Sequence, residues 1–386
     1  MNNSTKKANV IVIGNSGVGK STLINSIFGN REEPELAETG KGEGITQKMD
    51  IYENDEIGFR IIDTKGLEYT WVEQRKIRKQ LKKWTKNCKM EENESRQINA
   101  IWYCFDGNSG RSFADNIDTF YKILKVWKDV PLIAVITKSY FEQDDESNIN
   151  MIRSTFEKNH KFNLKEIIPV VALSKDENCP SRNVDLLIEK TNALCPEGLQ
   201  LGQDALTAFK LKQKRVMAQT FVGVCATPAI VIGAVPIPTP DAPIITAIET
   251  GMIIGIGKIY GIPIGKDDKT GIIKAILSAG TVSLVAKTIA NALKAIPNIA
   301  GSVINAVVAG AIVISLGESV IYLMEAINNG TIEQTNVNKI NEFIRNTLNT
   351  TVFEKINKYF EKNKKDISKM NVKEIIGSLI KYLKKS

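Results

Sequence analysis

The chain has 386 residues, of which 43% are hydrophobic and 24% are charged, and its formal net charge is +8. This length is enough for two or three domains, and this composition excludes a fibrous or largely disordered chain. Five scattered cysteines without a C-x-x-C pair argue against a disulfide framework and a cysteine zinc site, and a single histidine, His160, excludes a histidine-rich metal centre. The polar start of the chain leads directly into a predicted strand, so we expect no signal peptide and a cytoplasmic protein.

The first predicted elements are a strand, a glycine-rich turn and a helix. Val10–Ile13 is a continuous apolar run, which predicts a buried strand. Gly14–Ser21 follows with the spacing G-x-x-x-x-G-K-[ST], in which successive backbone N–H groups turn toward phosphate oxygens. Over Ser21–Phe28 the apolar residues share one helical face, and Gly29 can end the helix. We therefore predict a phosphate-binding P-loop.

Each residue type in this loop has a predicted role. Lys20 would reach the β- and γ-phosphates and is a candidate catalytic residue, and the hydroxyl of Ser21 would ligate Mg²⁺. The candidate nucleotide-binding residues of the loop are Asn15, Ser16, Gly17, Val18, Gly19, Lys20, Ser21 and Thr22.

A polar, glycine-rich segment, Arg31–Gln47, comes next and could fold over a bound nucleotide. Within it, Thr46 is the candidate threonine that closes on Mg²⁺ and the γ-phosphate, which makes it both a catalytic and a metal-binding candidate. Thr39 is the alternative for this role.

Two extended segments, Met49–Glu53 and Gly58–Ile62, are joined by a turn-forming triplet and predict a β-hairpin. The second segment runs into Asp63-Thr64-Lys65-Gly66. At the end of an apolar strand that follows a P-loop, this D-x-x-G pattern predicts that Asp63 holds Mg²⁺ through water and that the Gly66 N–H contacts the γ-phosphate.

The rest of the first half alternates between strand and helix patterns after a charged, solvated segment. This alternation predicts an α/β P-loop domain with a mostly parallel, six-stranded sheet and a ligand at the carboxyl ends of the strands. The further predicted strands are Ile98–Phe105, Val130–Ile136 and Ile167–Leu173, and the predicted helices are Phe113–Trp127 and Val184–Leu194.

These motifs together resemble the Era-like branch of the GTPases, near the immunity-related GTPases. The resemblance covers the first half of the chain and adds two short motifs, Thr137-Lys138 and Val171-Ala172, to the P-loop, Thr46 and Asp63–Gly66. It implies a GTPase that binds GTP or GDP with Mg²⁺. It also implies that Thr137, Lys138 and Ala172 bind the nucleotide, with the Lys138 stem against the base and the Ala172 N–H toward the guanine O6.

Two positions depart from the family pattern. Tyr140 stands where the family has an aspartate that binds the guanine N1 and N2 hydrogens, and Asp144, Asp145 or a backbone carbonyl could take over that role. Leu67 stands where Ras-like GTPases place a water-orienting glutamine, so we expect slow intrinsic hydrolysis completed by a partner, a second copy or another residue. Arg111 is a candidate in trans, although a plain surface arginine is the better interpretation.

The second half is predicted to be helical, because strand patterns stop near Gly198. It resembles the uncharacterised helical domain that follows certain bacterial Era-like GTPases, in residues 194–198 and the proline-rich 235–243. We therefore predict a GTPase domain over residues 1–198, an apolar helical domain over 199–330 and a basic tail over 331–386. The predicted helices are Leu201–Gln219, Phe221–Val235 and Ala242–Ile259.

One uncharged segment, Asn298–Gly317, is long enough to cross a membrane. Its asparagines and serines favour a buried helical bundle instead, and a bundle that opens onto a membrane is a third interpretation. In the tail, Val372, Ile375, Ile376, Leu379, Ile380 and Leu383 form an apolar stripe. The stripe is predicted to pack on the rest of the protein, with a membrane-surface or partner helix as the alternative.

Three functions follow as hypotheses. The first is a GTPase switch that couples nucleotide state to the helical domain, in the cytoplasm or at the inner membrane. The second is a nucleotide-dependent assembly or membrane-remodelling protein with negligible hydrolysis, with a homodimer through the nucleotide face. The third, an RNA- or ribosome-associated GTPase, is the weakest, because no KH-type loop or aromatic RNA-stacking strand is found and nucleic acid is therefore not the expected partner.

Overall fold

The computed structural model describes residues 7–29, 50–63, 97–108, 127–159, 162–233, 243–264, 271–279, 282–296 and 300–385. These residues form two compact units. The first unit contains the described parts of Met1–Leu173 and Arg182–Gln213, and the second contains those of Ser174–Ser181 and Lys214–Ser386. The three domain boundaries predicted from the sequence remain predictions.

A six-stranded sheet forms the centre of the first unit. Its strands in chain order are β1 (Ala8–Ile13), β2 (Asp50–Tyr52), β3 (Phe59–Asp63), β4 (Ile98–Asp106), β5 (Leu132–Thr137) and β6 (Leu164–Pro169). The spatial order is β2-β3-β1-β4-β5-β6, and all neighbours are parallel except β2 and β3. This confirms the predicted α/β fold, including the β2–β3 hairpin.

The last strand begins and ends earlier than the predicted Ile167–Leu173. It starts at Leu164, which is the register partner of Leu132 in β5. Val170 and Val171 are buried like strand residues, but Val171 pairs instead in an isolated antiparallel bridge with Arg182. Their apolar side chains made a loop segment look like strand.

In the described residues of this unit, three helices pack with the central strands in the core. The helices are α1 (Lys20–Phe28), α2 (Asp145–Asn159) and α3 (Val184–Leu194), and a 3₁₀ turn, Glu142–Asp144, precedes α2. All six residues of β1 and of β5 are buried, as expected for parallel strands covered on both faces. The indole N–H of Trp102 in β4 donates to the Thr191 hydroxyl of α3 at 2.9 Å. The P-loop and the Thr137-Lys138 motif lie at the carboxyl ends of β1 and β5, so the candidate site lies at that end of the sheet.

The helical part of the chain begins with one long helix, α4 (Gln203–Gly233), where two helices were predicted. The sequence between Leu201 and Val235 contains one proline, Pro228, and the helix continues through it. Residues of α4 up to Gln213 belong to the first unit and later ones to the second. Most of the proline-rich segment 235–243 lies outside the described residues.

The described secondary-structure elements of the second unit are all helices. After α4 come α5 (Pro243–Tyr260), α6 (Ile272–Leu277), α7 (Val282–Lys294), α8 (Gly301–Asn328) and α9 (Val337–Thr347), then a π-helical segment (Leu348–Val352), α10 (Phe353–Lys362), α11 (Lys364–Ile367) and α12 (Val372–Lys385).

Helix α8 is the core element of this unit. A Cβ at its Gly310 would lie 2.9 Å from the side chain of Ile376 in α12, and one at Gly317 would lie 2.5 Å from Val222 in α4. Glycine at these positions therefore permits close helix contact. On α12, Ile375, Ile376, Leu379 and Leu383 of the predicted apolar stripe are buried.

Two described helices are long and apolar enough to cross a membrane. They are α4, with a mean hydropathy of 1.7 and half of its most apolar window buried, and α8, with a mean hydropathy of 2.0 and 78% of that window buried. Core helices of soluble proteins also meet these criteria, and the burial of α8 is that of a core helix.

Candidate functional site

The candidate site begins where β1 ends and α1 starts. Three glycines of the connecting loop have positive φ angles: +149° at Gly14, +73° at Gly17 and +100° at Gly19. A Cβ at Gly14 would lie 2.5 Å from the Cys104 carbonyl oxygen of β4, whereas one at Gly17 would meet no atom within 4 Å. The loop therefore lies tightly against β4 on one side and is open on the other, which is the shape of a cradle for phosphate groups.

Lys20, the first residue of α1, points into this loop. Its ammonium donates to the carbonyl oxygens of Gly14 and Asn15, both at 2.8 Å, and the residue is 7% exposed. Burial raises the pKa of the Cys104 thiol to about 12, while the charge of Lys20 lowers it and that of Asp63 raises it. The charges of Lys20 and Asp63 therefore both influence the buried Cys104 thiol behind the P-loop.

The candidate metal-binding residues are Ser21 and Asp63. Ser21 is exposed in the first turn of α1, and Asp63 is fully buried at the carboxyl end of β3. A hydroxyl and a carboxylate next to a phosphate cradle form a suitable set of oxygen ligands for Mg²⁺, which takes most of its other ligands from water and phosphate. The residues present therefore fit the ion that a nucleotide would bring.

Thr137 and Lys138, which end β5 and begin its loop, contact the P-loop directly. The Thr137 hydroxyl donates to the carbonyl oxygen of Val18 or to that of Phe105, the latter at 2.8 Å. The Lys138 ammonium donates to the Gly17 carbonyl oxygen at 2.5 Å and forms an ion pair with Asp106 at 2.7 Å. Residues more than a hundred positions apart in sequence thus support one loop.

The segment that contains Ala172 lies beside this second loop. The Ser139 N–H donates to the Val170 carbonyl oxygen at 3.3 Å, and Val171 exchanges two backbone hydrogen bonds with Arg182 at 3.1 and 3.0 Å. Ala172, which follows, is half-buried. The structure therefore brings the predicted residues of the P-loop, β5 and the β6 end to one edge of the sheet.

Other predicted residues lie outside the described part of the chain. These are Thr46, Thr39, Gly66, Leu67 and Arg111. Ser16 in the P-loop and Thr22 in the first turn of α1 are exposed. Among the described residues, no group of three or more His, Cys, Asp or Glu side chains could hold a metal ion on its own.

Two residues of the site escaped the sequence analysis. Asp106 closes β4 and binds Lys138, and a polar residue directly after an apolar strand was the signal that could have revealed it. Arg182 binds Asp145 through two nitrogens, and no local pattern marks that pair, because 37 positions separate the two residues.

Comparison with protein families gives two separate matches. Residues 9–138 match the family described as 50S ribosome-binding GTPase, and residues 200–352 match the family described as domain of unknown function DUF697. The probable GTP-binding protein EngB of Thermoanaerobacter pseudethanolicus is 29% identical over 171 residues, which are 43% of this chain and 80% of that protein.

Solved structures of GTP-binding proteins are also similar over half of the chain. A probable GTP-binding protein engB is 22% identical and covers 48% of this chain and 98% of its own, with a TM-score of 0.34. Era in complex with MgGDPNP and a 16S ribosomal RNA fragment is 20% identical, covers 55% and 67%, and has a TM-score of 0.34. Since residues 9–138 match a family described as 50S ribosome-binding GTPase, the comparisons give no support to the expectation that nucleic acid is not a partner.

The matches include GTP-binding proteins of more than one kind, and they do not assign the chain to the Era-like branch in particular. The glycine-rich cradle around Lys20, the six-stranded sheet and the match over residues 9–138 agree on a broader class. The chain carries a GTP-binding P-loop GTPase domain, followed by a helical region similar to the domain of unknown function DUF697.

Proposed function

We propose that the protein binds GTP with Mg²⁺, hydrolyses it slowly and uses the nucleotide state to control its helical C-terminal region. The observation that carries this proposal is the P-loop itself, with Lys20 held inside it and Thr137 and Lys138 supporting it from β5. An arrangement of this kind binds a polyphosphate through backbone amides, a helix N-terminus and one ammonium group.

The roles follow from chemistry and position. Lys20 would stabilise negative charge on the β- and γ-phosphates, and Ser21 and Asp63 would hold Mg²⁺, which neutralises phosphate charge when it is bound. Thr46 and the Gly66 N–H would respond to the γ-phosphate. The stem of Lys138 and the N–H of Ala172 would face the base.

The expected rate of hydrolysis is low, because Leu67 has no hydrogen-bonding group with which to orient water. A partner or a second copy of the chain, docked at the nucleotide face, would then supply the missing group. Arg111 is one candidate for that group. Acceleration of turnover as protein concentration rises would indicate the second copy.

Titration with GTP, GDP, ATP and XTP, together with phosphate release, tests the proposal. The wild type should bind GTP and GDP most tightly, and Lys20→Ala should lose most of its triphosphate affinity while keeping its circular dichroism spectrum. Equal affinity of both proteins for GTP would overturn the proposal.

A second candidate is a ribosome-associated GTPase. It is favoured by the family that residues 9–138 match, described as 50S ribosome-binding GTPase, and by the net charge of +8. Co-sedimentation with 50S subunits in GTP, GDP and increasing salt distinguishes it, since contacts with RNA phosphates weaken steeply with salt.

We also propose a cytoplasmic location, with membrane attachment through the apolar helices as the alternative. Flotation with liposomes in each nucleotide state separates the two. Protein that stays with the soluble fraction in every state would remove the alternative.

A further inference from the structure

One arginine joins the two loops that follow β5 and β6. The Arg182 guanidinium forms a bidentate ion pair with Asp145, with distances of 2.7 Å from Nη1 to Oδ2 and 3.0 Å from Nη2 to Oδ1. Its Nη2 also donates to the Ser139 carbonyl oxygen at 2.6 Å. Since the backbone of Arg182 is paired with Val171, a single residue binds both loops at once.

The cluster is mostly buried, and its polar groups hydrogen-bond to one another. The side chains of Arg182 and Asp145 are 15% and 16% exposed, and Ser139 is 3% exposed. The Ser139 hydroxyl donates to Asp145 Oδ1 at 2.5 Å, so that the carboxylate accepts three hydrogen bonds. Charge-assisted bidentate pairs of this geometry are among the stronger hydrogen-bonded contacts in proteins.

The cluster lies directly beside Lys138 and Ala172, the residues that face the base in the proposed function. Lys138 immediately precedes Ser139, and Ala172 immediately follows Val171. Displacement of either loop would therefore move a group that faces the base.

We propose that Arg182 and Asp145 are positioning residues. They hold together the loops after β5 and β6, which form one wall of the nucleobase site, and Asp145 anchors this wall and does not itself bind the base. This inference rests on the proposed function. A carboxylate that reads guanine accepts hydrogen bonds from N1–H and the 2-amino group. To do so, Asp145 would have to give up its contacts with Arg182 and Ser139 and leave a largely buried guanidinium without its counter-ion.

The substitution Asp145→Asn distinguishes between the two possible roles of Asp145, which are to hold the loops in place or to hydrogen-bond the base. Asparagine adds an NH₂ donor, which suits the C2 carbonyl of xanthine better than the 2-amino group of guanine. If Asp145 anchors the wall, D145N should weaken GDP binding without gaining affinity for XDP. Arg182→Ala should give the same loss, and the double variant should lose no more than either single one.

The measurement is the Kd of the full-length protein for GDP, XDP and ADP in Mg²⁺, with thermal unfolding of each variant. We expect the Kd for GDP to rise about tenfold in D145N and in R182A while the Kd for ADP is unchanged, so that the preference for guanine falls. Arg182→Lys, which keeps the charge but not the fork of two donors, should show a partial loss. If R182A folds poorly, the Kd values of R182K replace those of R182A in the comparison with the wild type.

Lys190→Ala is the matched control, because Lys190 of α3 forms an exposed ion pair with Glu166 of β6. It should leave all three Kd values unchanged. Tighter XDP binding by D145N would identify Asp145 as a base reader and overturn the inference. Equal losses for GDP and ADP, or an unchanged GDP affinity in R182A and R182K, would do the same. A wild type that binds no GDP would overturn the proposed function and, with it, this inference.

Discussion

Thr137 shows how one hydroxyl can support the P-loop from behind. It is 2% exposed and lies within hydrogen-bonding reach of the carbonyl oxygens of Val18 and Phe105. The sequence motif marked Thr137 only through its family resemblance, as a nucleotide-binding residue. Its contacts also give it a structural role, because its hydroxyl links the P-loop at Val18 to β4 at Phe105.

We expect Thr137→Val to destabilise the protein by about 1–2 kcal/mol, because an apolar methyl group would face two buried carbonyl oxygens. Nucleotide affinity should fall with it, since Val18 loses its support. Chemical denaturation and GDP titration measure the two effects.

Thr155→Val is the matched control. Its hydroxyl donates to the Met151 carbonyl oxygen within α2 at 2.8 Å, and Thr155 is also buried. If both variants weaken GDP binding equally, the role given to Thr137 is wrong.

At this scale the sequence was informative where chemistry is local. The P-loop residues lie within eight positions, and their types predicted the glycine-rich turn that the structure has between strand β1 and helix α1. The pair of Arg182 and Asp145 could not be predicted, because only the folded sheet brings the β5 and β6 loops together. The sequence offers Asp145 as one substitute for the missing aspartate, whereas its ion pair with Arg182 gives it a positioning role in our proposal.

At the scale of elements, helix contacts depend on glycine. Gly251 and Gly255 form a G-x-x-x-G pattern in α5, and a Cβ at Gly255 would lie 2.2 Å from the ring of Phe221 in α4. That ring is fully buried and has little room to move.

Gly255→Ala should therefore destabilise the second unit by about 1–3 kcal/mol through overpacking. Gly377→Ala on α12, where no atom lies within 4 Å of the new Cβ, should stabilise by about 0.5–1 kcal/mol, since it lowers the backbone entropy of the unfolded chain. Urea unfolding of both variants provides the comparison. Stabilisation of both variants would show that helix propensity outweighs the contact with Phe221, and it would contradict the prediction for Gly255.

Glu249 gives α5 a predicted dependence on pH. Burial raises the pKa of its carboxyl group to about 7, from 4.5 for an exposed glutamate. The folded state then binds more protons than the unfolded state between these values, so stability is full below about pH 4.5 and is lost as the pH rises through 7.

Glu249→Gln should remove this loss and leave the protein more stable than the wild type at pH 8, by on the order of 2 kcal/mol. The two proteins should differ least near pH 4. Glu342→Gln, at an exposed position of α9, is the control and should keep the wild-type profile. Thermal unfolding from pH 4 to 8 measures this, and parallel profiles for wild type and E249Q would contradict it.

Element bounds were predictable where apolar periodicity and turn residues agree, as in β1, α1 and α3. They were wrong where buried residues do not belong to a strand. Val170 and Val171 are buried in a loop, so they extended the last predicted strand too far. The reverse error divided α4, since a change from polar to apolar composition was interpreted as a break in the helix.

At the scale of the whole molecule, two compact units should respond differently to nucleotide. A ligand that binds only the folded P-loop unit stabilises that unit by mass action. At a GDP concentration 100 times its Kd, we expect about 2.7 kcal/mol of added protection.

Amide hydrogen exchange at β1 and β4 should report this protection in the presence of MgGDP. The variant Lys20→Ala, under the same conditions, should gain much less. Equal protection in the variant would show that the effect is not due to the P-loop.

The first fifteen residues beyond the predicted boundary at 198 complete the nucleotide-binding unit. The Leu199 carbonyl oxygen lies where a side chain at Gly58 would have to be, and the Gln213 amide donates to the Ile27 carbonyl oxygen at the end of α1 at 3.0 Å. A chain that ends at residue 198 would therefore lose the packing of Leu199 on the β2–β3 turn and the hydrogen bond from Gln213 to α1. A fragment that stops at 198 should melt earlier and bind GDP less well than one that runs to 213, because the first residues of the region similar to the uncharacterised domain pack within the P-loop unit.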